Sequence, residues 1–315
     1  MGGYLCLLDG SEIFNSENVH CMNCCEKHHQ DGRITYHHQI LGAVIAHPDN
    51  RQVIPLCPEP IIKQDGETKN DCERNAAYRF LDDLKREHPR LQVTVVSDAL
   101  SANAPYINKL KALGYNYIIS ITPEGNRTLY DYARGITKET VIKVGKNQYR
   151  FHYVNDIPLN DTKNAPHVNF FECEATEIEG KRTFKRTISR ITGHEITKNN
   201  IYDLLRGGRA RWKVENETFN TLKNQGYQFE HNFGHGKKCL HTVFAFLMML
   251  AFCIDQIQEA TCGLFQVALK RFGSRRALWE MLKGFFYLNF IESWQALWKA
   301  MSGDYKAPTL YEDTS

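Results

Sequence analysis

Proline is sparse in this chain, ten among 315 residues, and no stretch is of low complexity or repeats itself, which excludes collagen-like and solenoid architectures. Neither sign of charge is in excess. The 39 basic and 36 acidic residues leave a formal +3, too little for composition alone to announce a nucleic-acid partner. A membrane-length apolar run is missing too: the longest, Thr242 to Ile254, falls short of the about 20 residues a span takes and is flanked by His241 and Asp255. It predicts a buried core helix and no membrane partner. The start, Met1 to Asp9, has no basic stretch and only Tyr4 to Leu8 as an apolar run, unlike a secretory signal. The ten cysteines therefore read as free thiols of a reducing, cytoplasmic compartment rather than as a disulfide framework. What is present, 42% apolar and 24% charged residues, is the balance of a globular chain of one large domain or two.

The periodicities give an order of elements. Tyr4 to Leu8 reads as a buried strand ending at Asp9-Gly10-Ser11, and Ile34 to Ala46 and Val53 to Ile62 read as two more strands joined by the turn His47-Pro-Asp-Asn50. Apolar residues at three- and four-residue spacing (Ala76, Ala77, Phe80, Leu81, Leu84) predict a helix within 65–87, which Pro89 stops. The β-branched run Leu91 to Val96 leads into Ser97-Asp98; a helix, Pro105 to Leu113, and a strand, Tyr115 to Ile121, follow. Residues 1–122 thus read β-β-β-α-β-α-β, the order of a ribonuclease H-like α/β core. Residues 123–200 break the alternation with short strands at Thr140–Val144, Tyr149–Val154, Val168–Glu174 and Thr183–Ile191, an inserted β-rich subdomain. From 201 to 302 come a helix beginning at Ile201, interrupted at Gly207-Gly208, and carboxy-terminal helices Leu240–Ile257, Leu264–Phe272 and Ala277–Met301. Trp279, Phe285, Phe286, Tyr287 and Trp294 in the last of these are expected to pack over the sheet. Residues 303–315 read as a disordered tail.

In a fold of this order the ends of the first and fourth strands lie side by side, and those positions hold Asp9 and Asp98. A helix downstream of the fifth strand supplies a third carboxylate, Glu215, with Glu217 as its rival. Three such carboxylates can hold a pair of Mg²⁺ or Mn²⁺ ions about 4 Å apart, the arrangement for in-line attack of water or a 3′-hydroxyl on a phosphodiester.

The stretch Arg209-Ala-Arg211-Trp212-Lys-Val-Glu215-Asn216-Glu217-Thr-Phe219-Asn-Thr-Leu222-Lys223 resembles the signature of bacterial insertion-sequence transposases of the DDE type, in the branch with a β-rich insert before the catalytic Glu. The resemblance extends to Leu8-Asp9-Gly10-Ser11, to Val95-Val96-Ser97-Asp98 and to Gly226-Tyr227 through Gly236. It implies a transposase catalytic domain that cuts and joins DNA, with Asp9, Asp98 and Glu215 as catalytic and metal-binding triad and Arg211 on a phosphate. It also implies a homodimer in a transposition complex. Two positions depart from the family pattern. Leu222 stands seven residues after the Glu, where a Lys is usual; Lys223 comes one place late, about 80° from Glu215 on an α-helical wheel. Gly208 stands where a Tyr is usual. The family carries a repeat-recognising region ahead of the first catalytic Asp, here residue nine, so the expectation is an amino-terminally truncated member. The alternatives are a ribonuclease H-like nuclease without strand transfer and an inactive DNA- or zinc-binding remnant.

Between Lys181 and Lys213 ten basic residues face two acidic ones, a stripe suited to duplex phosphates, with Arg209, Arg211, Lys213 and Lys223 as the expected phosphate contacts. The loop from His231 to Lys238, with two glycines and two lysines, offers a second approach to phosphate. From His20 to His38 lie eight of the chain's 23 Cys and His residues. Cys21-x₂-Cys24 followed by His28 or His29, with His37 or His38 across the hairpin, has the spacing of a structural Zn²⁺ site. The set expected is Cys21, Cys24, His28 and His38.

Overall fold

A computed structural model of the chain describes residues 2–63, 71–235 and 239–303. The expected tail beyond Gly303, and the expected first turns of the helix after Lys63, lie outside the described residues.

Eleven strands join in a single sheet. Seven precede the insertion: β1 (Tyr4–Ser16), β2 (Cys25–His28), β3 (Ile34–Ala46), β4 (Val53–Pro55), β5 (Glu59–Ile61), β6 (Val93–Ser97) and β7 (Asn116–Ser120). Four come from the insertion: β8 (Lys138–Val144), β9 (Asn147–Pro158), β10 (His167–Glu179) and β11 (Arg182–Thr192). The order across the sheet is β2-β3-β1-β6-β7-β11-β10-β9-β8, with β5 and β4 taking over from β2 along the outer edge of β3. β1 is antiparallel to β3 and parallel to β6, and β6 is parallel to β7. This is the ribonuclease H-like arrangement that the element order predicts.

The insertion does not form a body of its own. β11 pairs with β7 through Arg190–Ser120, Ile191–Ile119 and Thr192–Ile118, so the inserted strands prolong the core sheet. β1 also differs from its expected length: it runs on through Asp9 to Ser16, because its whole length pairs with β3. Its parallel pairing with β6 stops at Leu7, and that leaves Asp9 beside the carboxyl end of β6 although it is in mid-strand.

Alternation along the strands gives the sheet two apolar faces. Leu5, Leu7, Ile40, Val44, Val96 and Ile118 pack with α4 (Ile201–Arg209) and α6 (Leu240–Thr261). Cys6, Leu8, Leu41, Ala43, Val93 and Val95 pack with α1 (Glu73–Glu87), α2 (Ala104–Leu113) and α3 (Arg127–Ala133), the last a helix the periodicity does not predict. All ten cysteines are free.

Between α4 and α6 lies a π-helical segment, Val214–Phe219, continuing as α5 (Asn220–Asn224). Its Phe219 sits over Gly42, the partner of Asp9 across the β1–β3 ladder; a Cβ on Gly42 would lie 2.4 Å from the ring. Glycine there lets the helix approach the sheet closely enough to reach Asp9.

The expected single last helix is two, α8 (Arg275–Leu288) and α9 (Trp294–Ser302), separated by Asn289–Ser293. With α7 (Gly263–Phe272) they build a cluster of their own around Phe265, Leu282, Leu297 and Trp298 instead of covering the sheet. Trp279 alone of the expected aromatics bridges to the main core, edge-on to Tyr227, while Phe286, Tyr287 and Trp294 are exposed. α6 is longer than the apolar run that predicts it, and by length and composition it passes as a membrane-spanning helix. One face, including His241, Phe252, Asp255 and Gln256, is buried; on the other, Val243, Leu247, Leu250, Ile254 and Ile257 are exposed.

Two tests follow from this packing. Gly42→Ala should cost about 1–3 kcal/mol by overpacking against Phe219. In a urea double-mutant cycle with Phe219→Ala the two losses should be markedly less than additive; simple additivity would mean that the contact does not hold the helix. Asp255, buried beside Tyr227, Glu259 and Arg275, accepts a hydrogen bond from the Tyr227 hydroxyl, and burial raises its pKa to about 6. A carboxyl raised above its unfolded value favours folding while protonated and loses that contribution as pH climbs from about 4 through 6. Asp255→Asn should therefore gain about 2–3 kcal/mol relative to the parent between pH 4 and pH 7, and a pH-independent difference in denaturation midpoint would refute the assignment.

Candidate active site

The site lies where β1 leaves β6. Asp9, in β1, projects on the same face as Leu7, toward the helices after the insertion. Asp98 follows the last residue of β6, on the same side as Val96. Its Oδ1 caps the 3₁₀ turn Ala99–Ser101, accepting from the Leu100 amide at 3.1 Å, which fixes the carboxylate at the strand's end. Glu215 is on the π-helical segment brought in by the Phe219–Gly42 contact. Asp9, Asp98 and Glu215 line one cavity, together with Glu12, Arg211 and Lys223.

The charges in this cavity act on one another. Burial pushes the Asp9 carboxyl up; Arg211, whose Nη1 donates to Asp9 Oδ2 at 2.9 Å, opposes that, while Asp98 and Glu215 push the same way as burial. A second cavity, on the opposite face of the sheet, also has Asp9 and Asp98 in its wall and adds Glu73 from the first turn of α1. Loss of water raises the Glu73 carboxyl, and Asp9 and Asp98 raise it further. Glu73 approaches over Gly10, where a Cβ would meet its Oε1 at 2.0 Å. The sequence reading does not single out Glu73. Its signal is an acidic residue in the first turn of the helix whose apolar face meets β1, and only the sheet topology shows that it reaches Asp9.

The π-turn resolves one departure from the family pattern. The Asn220 amide donates to the Glu215 carbonyl, five residues back, so this turn takes about one residue more than an α-turn. Lys223 thereby comes round to the cavity that Glu215 lines, and Leu222 goes into the core. Lys223 is ion-paired with Glu230 at 2.7 Å. Glu217 points elsewhere, paired with Arg51 at 3.4 Å and lining a different cavity. Gly208 is explained by its neighbours: a Cβ there would meet Arg190 Nε at 2.9 Å and Ile118 Cγ2 at 3.0 Å, leaving no space for a Tyr.

Two expected phosphate contacts are committed to the fold. Arg209 is paired with Glu177 of β10, and Lys213, buried, donates to the Asn50 carbonyl. Arg190, also in the basic stripe, is buried deeply enough that its guanidinium pKa falls to about 10. Arg209, Lys213 and Arg190 are thus held by the fold, and Arg211 and Lys223 are the two expected contacts that line the cavity.

At the far end of the β1–β3 hairpin, Cys21, Cys24 and His38 come together as expected, and this cluster can hold a metal ion. His28 is not part of it. It stands at the end of β2, three residues along an extended strand from Cys25, with its ring exposed and 3.5 Å from Glu26. The fourth position belongs to His235, from the loop beyond α5 that the sequence reading offers to phosphate. The lysines of that loop, Lys237 and Lys238, lie outside the described residues. His29 and His37 are used otherwise: His37 contacts Glu12 at 2.5 Å and Thr35 at 2.7 Å, and His29 contacts the same Thr35 hydroxyl at 2.9 Å.

Comparisons with known proteins bear on this geometry. No curated protein matches the chain by sequence. Among solved structures, the crystal structure of the NurA nuclease from Sulfolobus solfataricus aligns at 10% identity over 67% of this chain and 73% of that one, with a TM-score of 0.30, too slight a likeness to carry weight. The family model described as the transposase DDE domain matches residues 22–255, a span that holds Asp98 and Glu215 and begins after Asp9. With most of its length in that match, the chain belongs to the transposase DDE-domain family.

Proposed function

We propose that this chain cuts DNA and joins the freed 3′ end to a target in a divalent-metal-dependent reaction, with Asp9, Asp98 and Glu215 as the catalytic and metal-binding carboxylates. The observation that carries the reading is the shared cavity: three carboxylates from two strands and one helix, beside two cations, in a member of the transposase DDE-domain family. The donor set suits Mg²⁺ or Mn²⁺, since it is all carboxylate oxygen, and the burial that raises Asp9, with the like charge of Asp98 and Glu215 added to it, is what a bound cation would offset. When bound, such ions activate the attacking oxygen and stabilise the leaving one.

The chain's own residues position the reactants. Asp98, held by its turn, presents a fixed carboxylate. Arg211 neutralises Asp9 and can transfer its guanidinium to a DNA phosphate once a cation takes over that role. Lys223 serves the same strand from the cavity wall, exchanging Glu230 for phosphate. Glu73, behind the sheet, supports the pair of aspartates from the second cavity. The partner is DNA, held largely through its backbone and so bound in a salt-sensitive manner. A second copy of the chain is the further partner proposed: the exposed residues of α6 recur at spacings of four and three, the seam by which like helices pair.

Asp98→Ala should abolish Mg²⁺-dependent cleavage of element-end DNA while leaving non-specific DNA retention intact, and equal cleavage by variant and parent would remove the triad. Glu73→Gln, acting behind the aspartates, should cost about 10- to 100-fold in cleavage. Pre-cut ends bearing a 3′-hydroxyl should be joined to target DNA and those ending in a dideoxynucleotide should not; cleavage without any joining would favour the nuclease. In sedimentation, Leu250→Glu should convert a dimer to a monomer, whereas a parent chain already monomeric at micromolar concentration would dismiss the seam.

A further inference from the structure

We propose that Cys21, Cys24, His38 and His235 form a tetrahedral structural Zn²⁺ site that pins the segment following the Glu215 helix to the β1–β3 hairpin.

The geometry is that of a ligand set around one centre. The four ligand atoms lie within 4.8 Å of one another. The Cys21 and Cys24 sulfurs are 3.7 Å apart, Cys21 Sγ is 3.4 Å from His38 Nε2, and Cys24 Sγ is 3.7 Å from His235 Nδ1. With Zn–S bonds of about 2.3 Å and Zn–N bonds of about 2.0–2.1 Å, the edges of a tetrahedron are about 3.8 Å between sulfurs and about 3.5 Å between sulfur and nitrogen. The three edges observed fall at those lengths. A disulfide does not account for the pair, since its sulfurs would be about 2.05 Å apart.

The chemistry of the donors selects the ion. Two thiols and two imidazoles are soft and borderline ligands that favour zinc over the hard cations suited to the carboxylates at the other end of the hairpin. Four protein donors leave no position for substrate, which makes the site structural. The surroundings are built for a closed site. Cys24 and His38 are each about 1% exposed; Phe14 lies edge-on to the His235 ring at 4.5 Å, and the neighbouring His241 stands outside the set of ligand atoms that gather within 4.8 Å of one another. Among the described residues the remaining ring nitrogens of His38 and His235 are shut from water without a hydrogen-bond partner.

The consequence lies in connectivity. Cys24 and His235 are 211 residues apart in the chain, and His235 stands between α5 and α6. A metal there ties the exit of the helix carrying Glu215 to the strands carrying Asp9 and its partner Gly42, at a distance from the carboxylates themselves.

The test is metal analysis of the full chain purified without chelator. About one zinc per chain is expected, and Co²⁺ in its place should give tetrahedral d–d bands with thiolate-to-cobalt charge transfer. His235→Ala should lose the metal and melt at a lower temperature, and His28→Ala should keep both. If His235→Ala fails to fold, His235→Cys supplies the deciding measurement, since it retains a donor and should bind cobalt with a stronger thiolate band. A chain without zinc and without a cobalt spectrum, a Cys21–Cys24 disulfide found by mass spectrometry, or zinc lost from His28→Ala and kept in His235→Ala would each overturn the site.

Discussion

Phe219 rests on Gly42 because glycine leaves the sheet bare at that point, and this contact sets how near the helix bearing Glu215 comes to the strand bearing Asp9. A similar bare place on the opposite face, Gly10, admits the carboxylate of Glu73. Both glycines adjoin Asp9, Gly42 facing it across the ladder and Gly10 following it along the strand. Side chains at these positions would keep the flanking helices at ordinary helix-on-sheet distance, too far for short acidic side chains to converge. Close packing is therefore the precondition of the electrostatics, and its cost is like charge gathered in partly buried space, which Arg211 offsets at Asp9.

The β1–β3 hairpin carries two sites of opposite chemistry. Near its middle are hard oxygen donors, Asp9 with Asp98 and Glu215; at its far end, past the bulge between Glu12 and Phe14, are the sulfur and imidazole donors of the Cys/His cluster. Two routes join them. One is the hairpin ladder from the Asp9–Gly42 pair to the Phe14–His38 pair, and the other is the chain from Glu215 through α5 to His235. A metal held at one end would limit how far the helix at the other can drift, and would so serve the proposed carboxylate site without touching it.

Much of this was legible in residue order. The three- and four-residue spacing of Ala76 to Leu84, the β-branched run before Asp98 and the long alternating β3 each predict their element, because these patterns need only local geometry. A strand end singles out Asp98 and a motif singles out Glu215, and the two line one cavity. The strand expected at Tyr4 to Leu8 is shorter than β1 because Asp9-Gly10-Ser11 has the composition of a turn, and pairing with β3 overrides that preference. The insertion reads as a separate β unit since nothing in its strands announces that Arg190 to Thr192 will pair with β7.

Residue order alone carries the kind of core and singles out Asp9, Asp98 and Glu215, which line one cavity, and Cys21, Cys24 and His38, which share one cluster able to hold a metal. Tertiary structure decided which residues complete each site. Glu73 and His235 were recruited, His28 was turned outward, and Arg209 and Lys213 were drawn off to Glu177 and Asn50. Lys223 was brought round by a π-turn that no residue pattern marks. The reason is physical: a periodicity reports which face of a segment is apolar. Which groups meet across that face depends on segments far apart in the chain, and on where a missing side chain lets them approach.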